Sequence, residues 1–128
     1  MHLSWTLCAC LLFAMPALAV EYECNVERKL DTERPYTAEQ IQKGQFSIRI
    51  EENRNIAAIS RCSFSASAQK VTCDRYQMDK VVFDENVKIK KYYLFRSQFD
   101  VQVFSDLFFV ENNGRGGIAF GRCRVVAP

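Results

Sequence analysis

A chain of 128 residues with 48% hydrophobic and 25% charged residues and a formal net charge of +2 has the composition of one ordinary globular domain. Five Gly and three Pro exclude collagen-like or low-complexity character, and an apolar content near one half excludes wholesale disorder. The near-neutral balance argues against a nucleic-acid partner, which calls for a strongly basic face.

Residues 1–19 (MHLSWTLCACLLFAMPALA) read as a signal peptide: an apolar stretch closes on Ala17-Leu18-Ala19, a small-x-small cleavage pattern. The stretch contains Pro16 and is shorter than the roughly 20 apolar residues that cross a bilayer, so no transmembrane anchor is expected. Cleavage leaves one domain over residues 20–128, exported to the periplasm or secreted. It also removes Cys8, Cys10, His2 and Trp5, the last two being the only His and Trp in the chain.

The elements that follow are mainly strands. Residues 21–28 (EYECNVER) alternate Tyr22, Cys24 and Val26 with polar neighbours, the period of a half-buried strand. Thr37-Ala38-Glu39-Gln40 is a capping box with Tyr36 and Ile41 in the staple positions. It opens a short helix over residues 38–43 that Gly44 is expected to stop. Further strands are expected at residues 45–51, 56–64, 71–78, 80–83, 87–96, 99–104, 107–111 and 118–126. Asn113-Gly114 is the strongest hairpin signal among their connections. Connections this short leave no room for crossover helices, so neighbours pair antiparallel. The expected fold is mostly β: a single antiparallel meander of about seven to nine strands closed into a small barrel or sandwich, with one short α-helix in the N-terminal half. Phe46, Phe64, Phe83, Phe95 and Phe120 are the candidates to fill a closed core, Phe104, Leu107, Phe109 and Val110 read as chiefly core, and Phe108 either packs under the helix or stands exposed.

Four cysteines in an oxidising compartment read as two disulfides. Setting Cys62 against Cys73 across a hairpin puts Phe64 opposite Val71 on the same face as the cystine, and leaves Cys24 to join Cys123 between the first and last strands. No metal site and no cofactor is expected.

Without His, and with its thiols oxidised, the exported chain lacks the triads, imidazole bases and His-containing zinc sites on which many enzymes depend. No catalytic residue is assigned. Carboxylate pairs such as Asp79 with Asp84, or Asp100 with Asp106, are the route left to a hydrolase, a minor alternative. Binding is the leading expectation. Residues 88–96 (KIKKYYLFR) interleave cations and aromatics, and on a strand Lys88, Lys90, Tyr92, Leu94 and Arg96 share one face, expected to be the exposed one. Lys88, Lys90, Tyr92 and Arg96, with Arg115 at the tip of the Asn-Gly turn, are the candidate partner-binding residues, and the partner is a protein or glycan outside the cytoplasm. An apolar-ligand carrier with a cavity inside the barrel is the alternative. In size, compartment and composition alone, the chain resembles small periplasmic inhibitor and immunity proteins of bacteria, which implies a non-enzymatic protein that binds another macromolecule.

Overall fold

A computed structural model describes residues 19–126. The signal-peptide reading therefore falls outside the described residues, apart from Ala19. In chain order the elements are β1 (Ala19–Leu30), α1 (Ala38–Gly44), β2 (Ser47–Asn53), β3 (Ile56–Ser65), β4 (Lys70–Gln77), β5 (Lys80–Asp84), β6 (Ile89–Leu94), a 3-10 turn (Phe95–Ser97), β7 (Phe99–Val103), β8 (Phe108–Asn112) and β9 (Ile118–Val126).

The nine strands form one antiparallel sheet in the order β4-β3-β2-β1-β9-β8-β7-β6-β5. It curls into a half-barrel. The first and last strands are neighbours at its centre, paired from Glu21↔Val126 to Leu30↔Ile118 with a register shift between Val26 and Arg28. Gly121 sits opposite that shift. A Cβ there would stand 1.9 Å from the Asn25 carbonyl oxygen and 2.7 Å from the Phe109 ring, so only glycine lets the two backbones approach so closely.

The curl completes itself at one corner. The sheet's two outermost strands are consecutive in the chain, separated only by Met78 and Asp79. Met78 N–H bonds the Ala57 carbonyl at 2.8 Å on one side, and Asp79 N–H bonds the Tyr93 carbonyl at 2.7 Å on the other. The curl is thus stitched together at that corner, while β4 and β5 keep unpaired outer edges.

The concave side holds the core: Cys24, Ile48, Ile50, Ile59, Tyr92, Leu94, Phe99, Val101, Val103, Phe109 and Cys123. Cys24–Cys123 lies within it, and Cys62–Cys73 links β3 to the edge strand β4 on the convex side. Phe64 does pair with Val71 beside that second cystine, but both are exposed, because this face points to solvent. Phe83 and Phe95 are likewise 51% and 58% exposed, so of the five candidates to fill a closed core only Phe46 and Phe120 are partly covered. Phe108 stands exposed with the Arg122 guanidinium over its ring at 4.6 Å.

The helix begins as its capping box requires: Thr37 Oγ1 accepts from Gln40 N–H at 3.1 Å, and Gln40 Oε1 accepts from Thr37 N–H at 2.8 Å. Its left-handed terminal residue is Gln45, at φ 47°, in place of the expected Gly44. Gly44 serves another purpose. The Phe46 ring folds over it so closely that a Cβ would lie 2.2 Å from the ring.

Candidate functional site at the ends of the half-barrel

Each end of the half-barrel is spanned by an ion pair between strands far apart in the sheet. At one end Lys90 of β6 meets Glu52 of β2 at 2.9 Å, and the Tyr92 hydroxyl donates to the same Glu52 Oε2 at 2.9 Å. Tyr22 of β1 joins them, accepting from Lys90 Nζ at 3.4 Å while the ammonium lies 5.5 Å from its ring centroid. Burial, then the Glu52 carboxylate, pushes the Tyr92 phenol far above its ordinary range. Burial by itself would lower Lys90, but the bond and charge of Glu52 outweigh it and raise the ammonium.

This arrangement corrects the expected face of β6. Tyr92 and Leu94 are buried, and Lys90 points inward with them. The inner row tolerates a lysine because Glu52 neutralises it inside the curl. Of that row, Lys88 lies in the turn after β5, at φ 57°, where it lines a groove with Tyr22, Phe83, Phe104 and Leu107. Arg96 lies beyond the strand in the 3-10 turn. The five candidate residues therefore do not form one surface: two are interior, Lys88 borders one end, and Arg96 and Arg115 stand at the other.

At this second end Arg61 of β3 reaches Glu111 of β8 through two nitrogens, Nη2 at 2.6 Å and Nε at 3.1 Å. Glu111 is only 5% exposed, so this charge-assisted pair replaces the water it lost. The Arg61 guanidinium also lies 5.1 Å from the Phe99 ring centroid. Beside it Lys29 places its ammonium 4.0 Å from the Phe46 ring and 5.2 Å from the Tyr36 ring. Burial pushes Lys29 below the usual lysine range; the Glu111 charge opposes the shift and Arg61 adds to it. Lys29, Arg61, Glu111, Ser47, Ser63 and Asp74 line a polar cleft of about 150 Å³.

Two turns close over the same end and lock together. In the β8–β9 connection the Asn113 side-chain oxygen accepts from Arg115 N–H at 2.7 Å and Gly117 N–H at 2.9 Å. Gly114 has φ +75° and rests against the Ser97 and Gln98 carbonyls, where a Cβ would lie 2.3 Å from the first. The turn carrying Arg115 is thereby set against the turn carrying Arg96. Between them a second cleft is lined by Arg61, Tyr76, Leu94, Ser97, Phe99 and Arg115. Both arginines are exposed, and among the described residues neither forms an ion pair.

On the convex face, by contrast, charges are matched across strands: Arg49 with Glu21 and Glu23, Arg124 with Glu23, Arg75 with Glu51 and Arg122 with Glu27. The carboxylate pairs considered for hydrolysis are committed locally. Asp79 accepts from Phe95 N–H at 2.8 Å, and Asp84 from Asn86 N–H at 3.0 Å. With extended β5 between them they are about 16 Å apart at ~3.3 Å per residue, beyond the spacing of glycosidase carboxylates. Among the described residues no three His, Cys, Asp or Glu side chains gather where a metal ion would sit, and no helix is long and apolar enough to cross a membrane.

Sequence reasoning missed Arg61, Glu111, Lys29 and Glu52. Alternation offered a signal for two of them: Arg61 follows Ile59 and Glu111 follows Phe109 on inward-facing positions. Comparison with protein-family models, with curated proteins and with solved structures finds no match to this chain.

Proposed function

We propose that this is an exported, non-enzymatic binding domain, held by two disulfides, whose turn-covered end docks an acidic partner protein. The observation that carries the reading is the pair Arg96 and Arg115: two exposed guanidiniums without ion-pair partners among the described residues, on turns fixed against each other by Gly114. Turns held this way lose little entropy on binding, and Arg forms directional bonds with carboxylates. The small cleft beside Arg115 adds Tyr76 and Phe99, aromatic walls next to that arginine. Support for binding over carriage comes from the interior, which is crossed by Lys90–Glu52 and Arg61–Glu111 and filled by the Cys24–Cys123 bridge.

The test is comparative capture from the exported fraction. Immobilised oxidised protein is expected to retain a stoichiometric acidic protein at low salt and release it as salt rises. Arg96→Glu with Arg115→Glu should abolish retention, and Arg54→Glu, in the β2–β3 turn at the opposite end, should not. Equal retention by all three proteins would refute the assignment.

A further inference from the structure

Tyr76 of β4 reaches the Arg115 cleft, but the outer edge of the strand from Lys70 to Asp74 supports an inference that does not depend on the two arginines. Lys70, Val71, Thr72, Cys73 and Asp74 are all exposed on the outermost strand of the sheet. Its only guards are charges, Lys70, Asp74 and Arg75, which can be matched by a complementary edge. It contains no proline, and it pairs with β3 without a bulge from Ala58↔Gln77 to Ser65↔Lys70. The Cys62–Cys73 bond pins this register, so the edge is already ordered before anything meets it.

The direction of its free hydrogen bonds follows from parity. Cys62 and Cys73 have Cα atoms 4.1 Å apart, the spacing of a non-hydrogen-bonded pair. Val71, Cys73 and Arg75 therefore turn their N–H and C=O groups away from β3. Met78, of the other parity, agrees, since its N–H bonds Ala57 of β3.

We propose that this edge pairs with the same edge of a second copy of the chain, antiparallel, about a two-fold axis passing through Thr72. In this register Val71 lies opposite Cys73 of the second copy, and the two exchange main-chain hydrogen bonds through groups that are free in one copy. Lys70 lies opposite Asp74 of the second copy, and the pair occurs twice by symmetry. Among the described residues neither Lys70 nor Asp74 forms an ion pair within one chain. Charge selects this register over its neighbours. Centring on Asp74 would set that carboxylate against itself, and centring on Cys73 would leave Lys70 opposite Tyr76.

An apolar row on the convex side favours the same choice. Phe64 and Val71 are 38% and 40% exposed side by side in one copy. The Thr72-centred pairing extends them directly onto Cys73 and Cys62 of the other, giving Phe64, Val71 and a cystine in one continuous cross-strand line.

Sedimentation velocity of the oxidised protein over a concentration series tests the proposal. A reversible monomer–dimer equilibrium is expected. Asp74→Lys should weaken the dimer about tenfold, and Lys70→Asp combined with Asp74→Lys should restore it. Val71→Pro removes an N–H that points to the open edge, leaving the β3 pairing intact, and should yield a monomer with an unchanged far-UV spectrum. Thr72→Cys places one thiol per copy beside the axis. It should give a disulfide-linked dimer whose bridge maps to residue 72 on both chains, and Val71→Pro in that background should prevent it. A monomer at every concentration, a dimer indifferent to Val71→Pro, or failure of Thr72→Cys to cross-link would overturn the proposal.

Discussion

Tyr92 of β6 donates its phenolic hydrogen to Glu52 of β2 at 2.9 Å, although β7, β8, β9 and β1 intervene between those strands in the sheet. Only a curled sheet brings them together, and the same Glu52 oxygen holds Lys90. The carboxylate thus serves two donors from the opposite wall. Glu52→Ala strands a buried ammonium and a buried hydroxyl, and is expected to cost about 3 kcal/mol. Tyr92→Phe removes only one bond and is expected to cost about 1 to 2 kcal/mol. Urea unfolding read at constant m-value checks both, and equal costs would contradict the shared-acceptor geometry.

The same cluster sets the alkaline limit of stability. Tyr92 and Lys90 both hold their protons more tightly in the folded chain than in the unfolded one. Their contribution is therefore complete below the ordinary phenol range and is lost as pH rises through and beyond it. Lys29, held below its ordinary range by burial, runs the other way and offsets part of that loss. Unfolding midpoints measured from pH 8 to 12 should fall above about pH 10, and the fall should be shallower in Tyr92→Phe. In the parent protein, absorbance of the Tyr92 phenolate should appear only together with loss of the fold.

The two disulfides are expected to differ in accessibility to reductant. Cys24 and Cys123 are 0% and 7% exposed, whereas Cys73 is exposed on the edge strand. Limited reduction followed by alkylation should label Cys62 and Cys73 first and leave Cys24–Cys123 intact until the chain unfolds. Removal of the two bridges should also differ in cost. With sequence separations of 99 and 11, loop entropy assigns roughly 4.7 kcal/mol to the first and about 3 kcal/mol to the second.

Gly121→Ala is expected to destabilise by about 3 kcal/mol or more, because its methyl group collides with main chain instead of a side chain able to move aside. Gly114→Ala separates stability from function. Its added carbon pushes the Arg115 turn away from Ser97, so retention of the proposed acidic partner should fall sharply while Cys24–Cys123 remains resistant to reductant.

Much of the framework was legible in the chain. Alternating apolar residues located the strands, Thr37 to Gln40 located the helix, and the spacing of Cys62 and Cys73 set a hairpin register that the structure contains. The reading failed where alternation states that a strand has two faces without stating which is inside. On β6 both faces carry a lysine and a tyrosine, and the inner one is decided by Glu52, which lies 40 residues from Tyr92 in sequence. Phe64, Phe83 and Phe95 misled for a related reason: hydrophobicity measures what burial would gain, not whether an edge strand or a turn has a neighbour to bury against. The arginines of the candidate site were visible individually, as Arg96 and Arg115, but their coupling through Gly114 was not, since it depends on two turns meeting in space.

The central place of the β1–β9 pair also dictates an order of assembly. The meander from β1 to β4 and the meander from β5 to β9 are each built from contacts between near neighbours, which form early and fast. Their common boundary joins the first strand to the last, so it waits for the final residues of the chain to be synthesised. Cys62 can find Cys73 as soon as one hairpin has emerged, while Cys24 cannot form its native bond until Cys123 arrives. Folding is therefore expected to start at the flanks and close in the middle, with the longest covalent loop closing as the sheet is completed.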